Sequence, residues 1–312
     1  MRIVVTGGAG FIGSHVAEAY IRAGHDVVII DNLSAGKRCH LPGDARFCHL
    51  SIQDADIERV FNDFKPQIVN HHAAHINLRR SVADPVYDAH NNIIGTLNIL
   101  RCAQINGTEK IIFASTGGAI YGEPGSIPVP ESAPALPLSP YGVSKLSVEH
   151  YLRLWKSIHG MDFTIFRYPN VYGPRQDPKG EAGVVAIFTL NMLSGHHPVI
   201  FGNGSKTRDY IFIEDLVRAN VLALTAGGGE TLNLGWGLEI SDREVFDTIS
   251  KALDYREEPE YARVRPGEVN RIALDASRAK QVLGWEPCVA FTEGIGRTVR
   301  YYCEVDEENS KK

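Results

Sequence analysis

Cysteine is scarce in this chain and nowhere clustered. The five among its 312 residues (Cys39, Cys48, Cys102, Cys288 and Cys303) lie far apart, are odd in number and form no CxxC pair. That excludes a disulfide scaffold and a CxxC-type zinc site, and it suits reduced thiols in a cytoplasm. No stretch of 18 apolar residues occurs, so no membrane-spanning helix is expected. The opening MRIVVTGGAG lacks the basic region, long apolar stretch and cleavage site of a signal peptide. Its apolar residues read as a strand, and the protein as cytoplasmic. Excess positive charge is missing too. With 32 Lys and Arg against 37 Asp and Glu the formal net charge is −5, which argues against nucleic acid and anionic membranes as partners. His71, His72, His75, His196 and His197 have no ordered set of carboxylates beside them, and no metal is expected.

What is there is the composition of a packed globular protein, 44% hydrophobic and 22% charged. The length suits one large or two modest domains. The first half alternates strand and helix. RIVVT (2–6), VVIID (27–31), QIVNH (67–71), KIIFAS (110–115) and FTIFR (163–167) are strand runs. Helical spacing appears over 11–23, from Asp54 through Phe64, over 86–106 and over 142–159. Fully apolar strands alternating with helices predict a doubly wound parallel α/β sheet of Rossmann type, covered on both faces. Residues 169–183 read as loop, and helices return at 184–194, 214–226, 242–254 and about 291–303. Ser241 and Glu244 form a capping-box pattern, and the polar tail from Glu304 is expected to fray. The predicted division is a dinucleotide-binding domain over 1–168, which also receives part of 207–235, and a smaller α/β substrate domain over 169–312, with a cleft between them.

The strongest local signal is TGGAGFIG at 6–13, directly after a strand and before a helix. Gly7 or Gly8, Gly10 and Gly13 satisfy glycine patterns that allow a tight turn, close approach to a pyrophosphate, and close packing of helix on strand. The helix N-terminus then faces the anion. Asp31 ends the second strand, 18 residues past Gly13, where a carboxylate accepts ribose hydroxyls and repels a 2′-phosphate. NAD is therefore expected over NADP, with Lys37 and Arg38 as the contrary signal.

Tyr141 and Lys145 stand four apart in YGVSK, on one face of a predicted helix. A phenol is too weak an acid to serve as a base near neutrality unless a neighbouring ammonium and an oxidised nicotinamide lower its pKa. So tuned, the pair can take a proton from an alcohol. Alone, YxxxK is equally the mark of an ordinary surface helix.

TGGAGFIG, Asp31, YGVSK and RYPNVYGPRQDP occur in order and at familiar distances, joined by DNLSAGKR, HHAAH, ASTGGAIYGE, GSKTRDYIFIEDL, RPGE and LDASRAKQVLGWEP. From residue 1 to about 302 the chain resembles the extended short-chain dehydrogenase/reductases, and within them the NAD-dependent nucleotide-sugar epimerases. The resemblance implies a cofactor site of Gly7, Gly10, Phe11, Ile12, Gly13, Asp31, Asn32, Ser34, Ser51, Ile52, Ala73, Ala74, Asn92, Ser115, Tyr141, Lys145 and Tyr168. Ser51 stands where the family usually has Asp, which weakens the adenine contact. For the third catalytic group the family has a Ser or Thr at the end of the fifth strand. Counting back from Tyr121 reaches Gly117, whereas counting forward from Phe113 reaches Thr116, which is chosen; Ser115 is the alternative, otherwise a strand-end hydroxyl bonding backbone.

The same likeness places Thr116, Tyr141, Asn170, Val185, Phe201, Arg208 and Arg265 around a UDP-sugar, the two arginines on its phosphates. Ile272, seven past Arg265, stands where the family sets its tolerance of an N-acetyl group. The implied reaction is reversible 4-epimerisation of a UDP-hexose (UDP-glucose/UDP-galactose, or the N-acetyl forms) through a 4-keto sugar. A homodimer is implied through the helices 86–106 and 142–159. Three other readings stay open. UDP-glucuronate 4-epimerisation or decarboxylation would need a donor such as Arg175 for the carboxylate. A 4,6-dehydratase would need acids where Gly117 and Gly118 stand. A non-catalytic scaffold need not keep Tyr141 and Lys145.

Overall fold

A computed structural model describes residues 1–178, 183–264 and 269–310, with backbone alone at 308–310. The first part of the chain runs β1 (Arg2–Thr6), α1 (Phe11–Arg22), β2 (Asp26–Asp31), β3 (Arg46–His49), α2 (Ile57–Phe64), β4 (Ile68–His71), α3 (Leu78–Ala83) and α4 (Pro85–Ala89). A π-helical turn at His90–Ile94 leads into α5 (Gly95–Ile105), β5 (Lys110–Thr116), α6 (Gly117–Ile120), α7 (Pro140–His159) and β6 (Asp162–Tyr168). Then follow β7 (Asn170–Tyr172), α8 (Val184–Leu193), β8 (Val199–Phe201), β9 (Thr207–Arg208), β10 (Tyr210–Phe212) and α9 (Ile213–Leu222). The chain closes with β11 (Glu230–Asn233), β12 (Ile240–Ser241), α10 (Asp242–Leu253), β13 (Glu260–Ala262), α11 (Ser277–Leu283) and α12 (Phe291–Ser310).

Seven parallel strands form the central sheet in the order β11-β6-β5-β4-β1-β2-β3. This is the Rossmann order with one strand added at the β6 edge. Its apolar runs are continuous because each strand feeds two cores. Ile3, Val5, Val27 and Ile29 face one, under α1, α9, α10 and α12; Val4, Val28 and Ile30 face the other, under α2, α5 and α7. Because β11 pairs with β6, the chain returns to this sheet after building β7 to β10. The remaining strands are short pairs, β7 with β10, β9 with β12 and β8 with β13. Tyr121, Val129, Val269, Ile272 and Leu274 form a small third core.

Several elements differ from the sequence reading. The helix expected over 86–106 is three pieces, α4, the π turn and α5, preceded by the unexpected α3. Asp84 starts α4 by accepting the Tyr87 N–H at 2.9 Å, just before Pro85. Asp54 does not open α2; its carboxylate accepts the Ser51 N–H at 2.7 Å in the preceding turn, and the helix begins at Ile57. The stretch 169–183 contains β7, paired with β10, and residues 179–182 lie outside the described ones. The polar tail does not fray at Glu304: α12 reaches Ser310. Burial of Ile295, Val299 and Tyr302 nucleates a helix that the glutamates can extend. The Ser241 capping box forms as written, with Ser241 Oγ accepting the Glu244 N–H at 3.1 Å and Glu244 Oε2 accepting the Ser241 N–H at 2.7 Å.

Candidate active site

The sheet order reverses at β1, whose neighbours are β2 and β4, so a crevice opens at the C-terminal ends of β1 and β4. Gly7 turns there with φ +70°, and a Cβ on it would lie 2.7 Å from Ala73 N. The loop after β1 therefore touches the segment after β4 backbone to backbone. A Cβ on Gly13 would lie 2.2 Å from Gly7 O, so only glycine lets α1 approach its own strand this closely. Gly10 caps α1 with no side chain, and no acid stands in the first turn. The amides at this helix start face the crevice without a built-in acceptor, which suits a phosphate. Phe11 and Ile12 are half-buried at this turn. Asp31, 8% exposed, accepts the N–H of Ala9 at 3.0 Å and of Leu33 at 2.7 Å. Each carboxylate oxygen keeps acceptor capacity for a ribose hydroxyl. A turn whose glycines leave no room for a Cβ at Gly7 and Gly13, with no acid in the first turn of α1 and Asp31 at its edge, fits a dinucleotide.

On the adenosine side, Asn32 Oδ1 accepts the Ser34 N–H at 3.0 Å and shapes the loop. The Ser51 hydroxyl is committed to Gln53 Oε1. Ile52 packs on Gly95, where a Cβ would lie 2.6 Å from Ile52 Cδ1. Ala73 is fixed by its N–H to Thr6 Oγ1 at 3.2 Å, and Ala74 follows half-buried. Asn92 is saturated by protein. Its Oδ1 accepts the His75 N–H at 2.8 Å, and its Nδ2 donates to His75 O and Asp88 Oδ1, both at 2.9 Å. Its amide shapes the segment that carries Ala73 and Ala74.

Ser139 caps α7 by accepting the Gly142 N–H at 3.2 Å, and Tyr141 N donates to Ser81 Oγ at 3.3 Å. Lys145, 4% exposed, donates from Nζ to Ala114 O at 2.8 Å and lies 5.9 Å from the Tyr141 ring centroid. Burial pulls the Lys145 ammonium down to about 8, with Asp88 opposing. The Tyr141 phenol is pushed above its ordinary value by burial, and Asp88 adds to that. Within the protein itself no lowering by Lys145 offsets this, so of the two influences expected from the sequence, the ammonium and an oxidised nicotinamide, the cationic ring is the one left to favour the phenolate.

Thr116 ends β5, in register with Tyr168. A Cβ on Gly118 would lie 3.9 Å from Thr116 Oγ1 and 3.8 Å from Asn170 Oδ1, so these two polar groups flank one open glycine. A side chain at Gly117 would meet Leu274 Cδ1 at 2.3 Å, so the buried leucine would have to shift to admit one. Ser115 does not bond backbone, as its alternative reading had it. Its hydroxyl donates to Glu149 Oε1 at 2.7 Å in a buried network. Thr116, the last residue of β5, has its Oγ1 beside the open Gly118 instead.

Other anticipated residues are spread more widely. Tyr168 is 5% exposed, with its hydroxyl accepting from Asn220 Nδ2 at 2.9 Å, inside the core under α9. Val185 is 1% exposed in the same core, and Phe201 ends β8 half-buried. Asn170 N donates to Asp209 O at 2.9 Å, next to Arg208, whose Nη1 donates to Thr207 O at 2.7 Å. Ile272 is 2% exposed in the third core. Arg265 lies outside the described residues. Among the described residues, no three His, Cys, Asp or Glu side chains gather as metal ligands. His71 is occupied otherwise. Thr96 Oγ1 donates to Asn92 O at 2.7 Å and so accepts from His71 Nε2 at 2.9 Å, which leaves His71 Nδ1 to accept from Thr6 Oγ1 at 2.6 Å. Burial lowers this imidazole to about 3, which keeps it neutral.

Three supporting groups escaped the sequence reading. Glu149 takes Arg167 in a two-pronged pair, at 3.0 Å to Nε and 2.7 Å to Nη2. It stands one further i+4 step beyond Tyr141 and Lys145, and a charged residue inside the run FTIFR was the other available clue. Asp209 accepts the N–H groups of Trp236, Gly237 and Leu274, and burial raises its carboxyl to about 7. Asp88 is the third; no local pattern marks it.

The sequence model described as the NAD dependent epimerase/dehydratase family matches residues 3–235. A UDP-glucose 4-epimerase of Mycolicibacterium smegmatis is 43% identical over 97% of this chain and 98% of that protein. The crystal structure of a Thermotoga maritima UDP-glucose 4-epimerase with UDP-glucose superimposes with a TM-score of 0.96, at 46% identity over 98% of this chain and 99% of that one. A Thermus thermophilus UDP-glucose 4-epimerase in complex with NAD gives 0.93, at 42% identity over 97% of this chain and 99% of that one.

Proposed function

Because the chain belongs to the NAD dependent epimerase/dehydratase family, we propose that it is an NAD-dependent UDP-sugar 4-epimerase interconverting UDP-glucose and UDP-galactose, and the N-acetyl forms as well. The observation that carries the reading is local. Lys145, four residues past Tyr141 on α7, donates to Ala114 O two residues before Thr116 on β5, and the glycine turn and Asp31 stand at the C-terminal ends of β1 and β2 in the same parallel sheet.

Bound NAD supplies a hydride-accepting ring, which allows C4 of the sugar to be oxidised and reduced again with no net change. The protein's part is binding and proton handling. Gly10, Phe11, Ile12 and Gly13 present helix-start amides to the pyrophosphate, and Asp31 takes the ribose hydroxyls. Tyr141 as phenolate accepts the proton of the 4-hydroxyl, and Lys145 stabilises that anion as an ammonium. The α7 N-terminus, two residues before Tyr141, favours the same charge. Thr116 Oγ1 orients the hydroxyl, and Asn170 and Arg208 approach from the second half of the chain to hold the diphosphate. Grip at the diphosphate with few charges beside Tyr141 lets the 4-keto sugar turn its other face before it is reduced.

A homodimer and a cytoplasmic location belong to the same reading. Val82, Val86, Val143, Leu154 and Ile158 on α3, α4 and α7 are exposed at 46% to 77%. This is an apolar face that a second copy would cover. All five cysteines are unpaired, which suits a reducing compartment. Among the described residues no helix is long and apolar enough to cross a membrane.

The test is incubation with UDP-glucose, UDP-N-acetylglucosamine or UDP-glucuronate without added cofactor, read by NMR of the sugar. Axial–equatorial exchange at C4 is expected with the first two, and Tyr141→Phe is expected to abolish it while leaving the bound NAD in place. Absence of exchange with all three, or near-normal turnover in the variant, removes the assignment.

A further inference from the structure

A buried carboxylate lies under the N-terminal turns of α7 and takes no part in the chemistry described so far. Asp88 on α4 is fully buried. Its Oδ2 accepts the hydroxyl of Ser144 at 2.7 Å, and its Oδ1 accepts Asn92 Nδ2 at 2.9 Å. His75 Nδ1 lies 3.8 Å from the same Oδ1. Ser144 is the residue before Lys145, and Asn92 holds the His75 backbone in both directions. One side chain thus joins α4, the π turn, the segment after β4 and α7. We propose that Asp88 is a positioning residue of the epimerase: through Ser144 it fixes the turn of α7 that carries Tyr141 and Lys145, and its charge compensates the buried ammonium.

The electrostatic surroundings leave Asp88 as the group for this task. On α7 itself, Glu149 is engaged with Arg167, and with Arg153 at 3.4 Å. From the end of β4 and the residue after it come His71 and His72, both held neutral by burial at about 3, with Lys145 acting in the same direction on each. β5 offers Lys145 only the Ala114 carbonyl and the Phe113 ring. From α3, Arg80 lies over the Tyr87 ring at 3.8 Å, and His75 packs edge-on to that ring. Asp88 raises Lys145 against the lowering by burial, and it raises Tyr141 as well. A negative charge favours protonation of both members of a coupled pair, so it sets where on the pH axis both protons come off.

The inference rests on the proposed epimerase activity, and the experiment separates the two. The pH–rate profile with UDP-galactose is measured for the wild type, Asp88→Asn and Ser144→Ala. If the wild type interconverts no UDP-sugar, the functional reading fails and the profile has no meaning. If it is active, Asp88→Asn is expected to move both limbs to lower pH by ~1 unit. Ser144→Ala, which removes the hydrogen bond and keeps the charge, should lower the rate without moving the limbs. A structural role alone predicts lower rates with unmoved limbs in both variants and overturns the proposal. A second readout needs neither turnover nor the variant to fold, namely NMR titration of 13Cε-labelled lysine in the wild-type chain. Lys145 is expected to titrate at about 8. A midpoint below ~6, as for a buried lysine with no compensating charge, also overturns it.

Discussion

Replacing Glu149 with Gln tests whether the buried pair behind the active site holds the two halves of the sheet together. Glu149 is fully buried and Arg167 is 4% exposed. The carboxylate takes both prongs of the guanidinium and the Ser115 hydroxyl, while Arg167 Nη1 donates to Tyr121 OH at 2.8 Å and Tyr121 OH donates to Asn233 Oδ1 at 2.8 Å. The substituted amide would keep the shape and remove the charge, leaving a buried guanidinium without its counter-ion. Breaking one side of such a pair costs ~3–5 kcal/mol. An unfolding entropy of ~2.1 cal/mol/K per residue makes 1 kcal/mol worth ~1.5 °C in a chain of this length, so the melting temperature should fall by ~5–8 °C. Thermal unfolding by circular dichroism reads this directly. Because the penalty is an uncompensated charge, the double change Glu149→Leu with Arg167→Met should recover more than half of the loss. A fall below ~2 °C for Glu149→Gln, or a double variant worse than the single one, would refute the reasoning.

Gly13→Ala forces a Cβ to within 2.2 Å of Gly7 O, backbone that cannot give way. The purified variant should carry less than a tenth of the wild-type NAD by absorbance after denaturation; full retention would contradict the cradle. Thr116→Val should lower kcat by ~10²-fold with little change in melting temperature, as loss of a hydroxyl acting on the proton in transit. Ser115→Ala should instead lower stability by ~1–2 kcal/mol, because it leaves Glu149 short of a donor; the reverse pattern would exchange the two roles. His15, His71 and His72 are pushed by burial to about 4, 3 and 3, below the ordinary 6.5. The unfolded chain therefore binds more protons between those values, and their stabilisation is complete above ~6.5 and lost as pH falls toward 3. Asp209, raised by burial to about 7, opposes them with one proton against three, so the melting temperature should still fall steadily from pH 6 to 4.5, whereas a curve flat over that range would exclude neutral burial of these rings.

The local devices were legible because their physics is local. RIVVT followed by TGGAGFIG specifies a strand, a tight turn and a helix start from neighbouring residues alone, and the structure places β1, Gly7 and α1 there. YGVSK puts Tyr141 and Lys145 on one helical face for the same reason, and Ser241 with Glu244 caps α10. Asp54 misled because a carboxylate can cap a turn as readily as a helix, and here it reaches back to the Ser51 N–H while the helix N-cap falls two residues later at Asp56. The 86–106 helix was drawn unbroken because apolar spacing cannot register a π turn, which changes hydrogen-bond partners and leaves the sequence of faces nearly intact.

What the sequence by itself determined was the order of β1, β2, β4, β5 and β6 with the helices between them, the strand–glycine-turn–helix start at 2–13, and the placing of Tyr141 and Lys145 on one helix, since each depends on residues within one or two turns of one another. Tertiary structure alone decided that Asp88 meets Ser144 across 56 positions, that β11 rejoins the sheet beside β6, that Asn92 is spent on the His75 backbone, and that burial rather than Lys145 governs the Tyr141 phenol. Those outcomes depend on which distant groups share a water-excluded space. There an unpaired charge or hydrogen-bonding group is too costly to leave alone, and partners are chosen by proximity in the fold rather than along the chain.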